Sequence, residues 1–213
     1  MLFPKWTNKV PLALLASLVV LISFIVFAFA YWGSPKNYVV GYQPVQPIAF
    51  SHKLHAGEMG IDCRYCHTSV EKSSFAGIPP TKTCMNCHST LWTNAPILEP
   101  VRASFRDDTN LTWIRVNDLP DFVYFNHQIH IHQGVGCATC HGQVDKMPLM
   151  MKQNTLHMEW CLSCHRHPEK FVGLREHVYD PLWKNTEDQK TLGARLVKEY
   201  KIKKMTDCSV CHR

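Results

Sequence analysis

Residues 125–141 read FNHQIHIHQGVGCATCH, and much of the chain is legible as variation on this stretch. It joins two elements: a Phe-x-His-x-x-His turn, Phe125 to His130, and a Cys-x-x-Cys-His unit, Cys137 to His141. Two thiols three positions apart can reach the two vinyl groups of one porphyrin while the next imidazole turns onto its iron. The unit occurs five times, as Cys63/Cys66/His67, Cys84/Cys87/His88, Cys137/Cys140/His141, Cys161/Cys164/His165 and Cys208/Cys211/His212. Together these use all 10 cysteines.

Other readings of paired cysteines fit less well. Disulfide cysteines have no reason to keep one fixed spacing with a histidine behind them. Zinc knuckles work in pairs, five cannot be paired off, and zinc asks for no histidine after every second cysteine. A thioredoxin-like pair needs one motif in a βαβ setting. The sequence therefore predicts five covalently attached haem c groups.

The chain is internally duplicated. FSHKLH (50–55) precedes CRYCH and CMNCH, as FNHQIH (125–130) precedes CATCH and CLSCH. This is the mark of a repeated supersecondary unit. Thr186 and Gln189 read as a capping box opening a helix to about Lys204, which delivers the fifth motif. Between the halves, residues 91–121 read as a short strand and a loop.

Function turns on the sixth ligand, because an iron with both axial sites filled mostly moves electrons, whereas an open site does chemistry. Of 13 histidines, five are proximal, so eight remain for five irons. His52/His55 and His127/His130 are the candidates for four of them, since an i, i+3 pair on one turn presents two imidazoles to two neighbouring haems. For the fifth iron TLHMEWCLSCH offers Met158, with His157 as the alternative; methionine would raise that haem's potential. His132, His167 and His177 read as solvated or propionate-pairing, and Met147, Met150 and Met151 as packing against porphyrin. Arg64 and Arg166 read as propionate partners.

Leu12 to Trp32 carries no charge over 21 residues, the length of a membrane-crossing helix. Lys5 and Lys9 precede it and hold the N-terminus in the cytoplasm by the positive-inside rule, which exports the rest. A cleaved signal peptide ending near Ala28-Phe29-Ala30 is the competing reading, and the apolar stretch is long for one. The formal charge of +6 is no argument for nucleic acid: five haems bring ten ionised propionates and turn +6 into −4. The 181 residues from 33 to 213 supply about 36 per haem, too few for a conventional core around each.

The expected fold is thus a mostly irregular and α-helical multihaem cytochrome c with an N-terminal transmembrane helix, little β-structure and a core of stacked haems. Its expected parts are a cytoplasmic terminus (1–11), the membrane helix (12–32), a linker (33–47) and a pentahaem domain (48–213). Within that domain lie repeat 1 (about 48–90), a connector (91–121), repeat 2 (about 122–168), and a C-terminal helix with the fifth haem (186–213).

The run FSHKLHAGEMGIDCRYCHTSVEKSSFAGIPPTKTCMNCHS, with LPDFVYFNHQIH and MEWCLSCHRHP, resembles the pentahaem membrane-anchored cytochrome subunit of bacterial alternative complex III. The likeness covers roughly residues 30–212. It implies an electron-transfer subunit, not an enzyme by itself, on the periplasmic side of the inner membrane. It implies polytopic quinol-binding subunits, an iron–sulfur subunit and a monohaem cytochrome c or terminal oxidase as neighbours, and menaquinol as the electron source. Related multihaem subunits of quinone reductase complexes share the M-x-W-C-x-x-C-H phrase. The alternatives are a single-anchor quinol dehydrogenase, against which stand the thirty residues between Trp32 and the first motif, and a multihaem reductase with one open iron.

Overall fold

In a computed structural model of the protein, residues 4–33 and 40–212 are described. Two compact units emerge, 1–40 and 41–213. The first is one long helix. After a 3-10 turn at Lys5–Lys9, α1 runs Val10–Trp32, with Pro11 in its first turn where the missing N–H costs nothing. The apolar span Trp6–Trp32 is the only helix among the described residues long and apolar enough to cross a membrane, and no α1 residue is buried.

The second unit is short helices on irregular chain. They are α2 (Cys63–Cys66), α3 (Thr81–His88), α4 (Glu99–Arg106), α5 (His127–His132), α6 (Cys137–His141), α7 (Met158–Arg166), α8 (Gln189–Glu199) and α9 (Cys208–Cys211). Among the described residues there is no sheet; a single antiparallel bridge joins Val135 and Val172. The cysteine pairs of all five Cys-x-x-Cys-His motifs sit on helices, because a helical turn sets the two cysteines three residues apart along one side.

Apolar burial is scant. Only ten hydrophobic residues are buried among those described, in small groups. One gathers Ile48, Leu98 and Val101, a second Val70, Ile131 and Val178, a third Val172, Leu192 and Leu196. Meanwhile Phe75, Leu91, Trp92, Phe122 and Met158, all close in sequence to a motif, are 59–69% exposed. The polypeptide does not make a core by itself, as the small share of chain per haem requires.

Several expectations are corrected. Residues 91–121 hold a 3-10 turn at Pro96–Leu98 and then α4, and no strand: Pro96 and Pro100 start helical turns, and Val101 closes on Ile48. The C-terminal helix starts from Asp188, whose carboxylate accepts from the Lys190 and Thr191 N–H groups, and not from a Thr186 capping box. It stops at Glu199, since Lys201 takes a left-handed conformation (φ 55°). Of the expected linker, 34–39 fall outside the described residues, whereas 41–46 are tied down. The Gly41 N–H donates to Lys152 O (2.7 Å), and the Gln46 side chain bonds both polar backbone groups of Ile114.

The α5 turn that carries His127 and His130 begins with Asn126, whose side chain accepts from the Ile129 N–H at 3.3 Å. Asn126→Ala removes that cap and is expected to cost about 1 kcal/mol. Denaturant unfolding of the haem-loaded protein checks it.

Candidate haem-binding sites

The two Phe-x-His-x-x-His turns fold almost identically. Phe50 lies edge-on to His52 (4.9 Å, 89°) and stacked on His55 (4.4 Å, 28°); Phe125 does the same to His127 (4.7 Å, 86°) and His130 (4.5 Å, 29°). One phenyl ring therefore sets one imidazole nearly at right angles to it and the other along it. The first turn is a π-helix, Lys53–Glu58, a wide geometry often found at functional positions.

Each of these turns faces histidines of the Cys-x-x-Cys-His motifs. Ring centroids are 6.3 Å apart for His55 and His88, 6.3 Å for His127 and His141, and 6.1 Å for His130 and His165. An imidazole nitrogen binds a metal at about 2 Å. Two opposed rings on one iron therefore stand about 6 Å apart, centre to centre, once a little over an ångström from nitrogen to ring centre is added on each side. The spacing fits an iron held between each pair. His52 has His67 for its electrostatic neighbour: burial first, then His67, push it down to about 4. Burial likewise holds His141 at about 4 and lowers His130. These imidazoles stay neutral, which is the form that ligates metal.

The ring nitrogens are sorted. Nδ1 meets a backbone carbonyl in His55 (Ser51), His67 (Gly77), His88 (Leu91), His127 (Ser74), His130 (Asn126), His165 (Met205) and His212 (Phe122), at 2.7–3.2 Å. An Nδ1–H bonded to a carbonyl fixes the tautomer and leaves Nε2 for a metal. His141 Nδ1 lies 3.1 Å from Asn117 Nδ2, while Asn117 Oδ1 is buried without a partner. Turning that amide over gives the same arrangement there. His52 Nδ1 is buried and unpartnered.

Thiols of different motifs lie close. Cys137 of the third motif is the largest influence on Cys63 of the first and draws it down to about 7, while Cys63 pushes Cys137 up. Burial pushes Cys140 up to about 12, with Cys164 and Cys161 the next causes, and Cys211 weighs on Cys161 after burial. Burial also raises Cys66 and Cys84.

The ten cysteines are not equally enclosed. Cys63, Cys66, Cys84, Cys137, Cys140, Cys161, Cys164 and Cys211 are half-buried, whereas Cys87 and Cys208 are exposed. Within its motif Cys87 is thus the more exposed thiol. The reason lies in how α3 packs: Cys84 and Met85 rest on the group of Ile48, Leu98 and Val101, and Cys87, one helical turn beyond Cys84, takes no part in that contact. Cys208 is the first residue of α9.

The fifth motif docks on residues 122–124: Cys211 O accepts from the Tyr124 N–H (2.8 Å), and Phe122 stacks on His212 (5.8 Å, 28°). Met158 opens α7, 65% exposed, and His157 is the residue before the helix. Cys211 of the fifth motif weighs on Cys161, one turn along α7 from Met158.

The remaining histidines differ. His167 Nδ1 lies 3.2 Å from Glu169, His177 lies between Glu176 and Asp180 and stacks on Trp183, and His132 is exposed. Arg64 and Arg166 meet protein carboxylates, Asp62 at 2.8 Å and Glu159 at 2.9 Å. Met147 is buried, and Met150 and Met151 are half-buried. Sequence reasoning missed Phe50, Phe125 and Asn117 as positioning groups. The two phenylalanines were visible as the shared first letter of the repeat, whereas Asn117 carries no signal at all.

Repeated helical Cys-x-x-Cys-His motifs, opposed imidazoles and an almost coreless polypeptide define a multihaem cytochrome c. Residues 123–213 match the family described as cytochrome c7 and related cytochrome c. The chain is also 30% identical, over 162 residues, to the protein named menaquinone reductase, multiheme cytochrome c subunit, of Nitratidesulfovibrio vulgaris strain Hildenborough, covering 66% of this chain and 76% of that one. The chain belongs to this family of multihaem cytochrome c subunits.

Proposed function

We propose that the protein is the electron-transfer subunit of a menaquinol-oxidising respiratory complex of the alternative complex III type. It conducts through five covalently attached haem c groups to a cytochrome c or terminal oxidase. The observation that carries this is the set of opposed imidazole pairs at 6.1–6.3 Å, since an iron closed on both faces exchanges electrons and takes no substrate. Haem c supplies a one-electron iron couple. The chain's part is attachment through the ten cysteines, the exposed Cys87 and Cys208 included. It adds proximal ligation by His67, His88, His141, His165 and His212, and distal ligation by His52, His55, His127 and His130.

For the fifth iron we propose Met158, with His157 the alternative. Met158→Leu is expected to abolish the far-red charge-transfer band of Met–haem ligation in the ferric protein; absence of that band from the wild type points to His157, and its retention in the variant to a different methionine.

In this reading α1 anchors the subunit in the inner membrane with residues 41–213 in the periplasm. The quinol site belongs to polytopic partners, and an iron–sulfur subunit and a monohaem cytochrome c or oxidase complete the complex. A second reading, electron delivery toward menaquinone, is favoured by the name of the Nitratidesulfovibrio relative. Potentiometry of the intact complex separates the two. Haem potentials rising from the menaquinone couple toward the cytochrome couple fit oxidation, and potentials mostly below the menaquinone couple fit reduction. A high-spin ferric signal from the wild-type protein would count against conduction and for a reductase.

A further inference from the structure

Contacts between the motifs string them into one file. Asn86 of the second motif donates from Nδ2 to Tyr65 Oη of the first, at 3.1 Å. Cys63 of the first and Cys137 of the third share one short segment: the Cys63 thiol donates to Tyr179 O (3.7 Å) and the Cys137 N–H to Val178 O (3.2 Å). Asn154, just ahead of the fourth motif, donates to Cys140 O of the third at 2.8 Å. His165 of the fourth bonds Met205 O at 2.8 Å, three residues before the fifth. The imidazole pairs agree: one turn, His52/His55, serves the first and second motifs, and the other, His127/His130, serves the third and fourth. The order in space is second, first, third, fourth, fifth, so the second and fifth motifs are the two ends. The two exposed attachment thiols, Cys87 and Cys208, belong to these two end motifs.

The ends differ in chemistry. Beside the second motif, Leu91, Trp92 and Ile97 are exposed apolar groups. The fifth lies in the most basic part of the chain. Residues 190–213 hold seven lysines and arginines against Glu199 and Asp207, a balance of +5 out of the +6 of the whole chain. Lys201, Lys203 and Lys204 are exposed. None is in a close ion pair among the described residues, Lys204 having only the longer-range pull of Glu169, whereas Arg195 is held by Glu187 at 3.0 Å. They lie on the segment that His165 grips at Met205, between the fourth and fifth motifs.

We propose that the fifth motif is the terminus at which this subunit meets a redox partner with an acidic docking surface, and that Lys201, Lys203 and Lys204 form the rim that receives it. This rests on the conduction reading above. On a molecule whose haem-loaded charge is negative, a local positive rim selects the approach of an acidic protein face and speeds its encounter.

The test uses the full-length, haem-loaded protein in detergent, reduced with dithionite and mixed in stopped flow with two carriers. One is a basic mitochondrial-type cytochrome c, the other the same cytochrome with its lysines succinylated. The wild type is expected to reduce the acidic carrier faster, at a rate that falls as salt is added. K201E/K203E/K204E is expected to slow the acidic carrier on the order of tenfold at low salt and to speed the basic one. Three results overturn the proposal. One is unchanged rates for both carriers. Another is an equal change for both together with shifted haem potentials, which would assign the lysines to propionates. The third is unchanged rates with lost binding to phosphatidylglycerol vesicles, which would assign them to a membrane surface. Wild-type protein that takes up electrons but reduces neither carrier would sink the conduction reading itself.

Discussion

Replacing His130 with alanine is expected to turn about a fifth of the ferric haem iron from low spin to high spin, one site among five attachment motifs. The His130 ring stands 6.1 Å from that of His165, and its Nδ1 is held on Asn126 O at 2.7 Å, so its loss opens one face of one iron and leaves the others untouched. Conduction along the file should slow on the order of tenfold or more, because the opened site lies between the third and fifth motifs and cannot be bypassed. Spin counting by EPR reads the first effect, and stopped-flow reduction of a cytochrome acceptor reads the second. His130→Met separates ligation from packing: it should keep the iron low-spin and raise that haem's potential. An H130A protein that stays entirely low-spin would refute the pairing of His130 with His165.

Gly193→Ala is expected to be the most damaging substitution outside the ligands. A Cβ on Gly193 would overlap the Glu169 carbonyl oxygen and lie 2.6 Å from its carbon, backbone atoms that have no rotamer to yield. Helix α8 packs against the turn at Pro168–Lys170, and its Leu192 and Leu196 are 1% and 0% exposed. Prying the two apart should cost about 3 kcal/mol, a fall in Tm of roughly 6–12 °C for a chain of this size. Thermal melting followed in the Soret band measures it. A melting temperature within error of the wild type would mean that α8 shifts freely. Lys190→Ala, on the exposed side of the same helix, should change little.

What the sequence made legible is what covalent chemistry forces into a fixed spacing. The attachment motifs and the duplicated Phe-x-His-x-x-His turns could be read because two thiols, one imidazole and one iron leave no freedom of register. How deeply each thiol sits could not be read, since Cys87 and Cys84 share one motif and differ only in what α3 packs against. The long apolar helix was equally plain, since an uncharged run of 21 residues has the length that a bilayer crossing asks for. Elements held by tertiary contact were read less well. α4 escaped because its apolar contacts, Val101 against Ile48, reach across fifty residues, and LTWIRVNDL carried β-branched and aromatic residues that mimic a strand. The end of α8 was misplaced because Lys201 enters the left-handed region without a glycine to announce it. Asn117, which orients His141, lies 24 residues away in a connector with no motif of its own.

The three small apolar groups have a consequence for how such a chain comes into being. With only ten hydrophobic side chains buried among the described residues, nine of them in the small groups around Ile48, Val70 and Leu192, the bare polypeptide has little drive to collapse. Attachment of porphyrin must therefore precede folding. Maturation sets the pace, each thioether adding a hydrophobic plate to a nascent stack, and a subunit missing one haem is a substrate for proteolysis before it is a poor conductor.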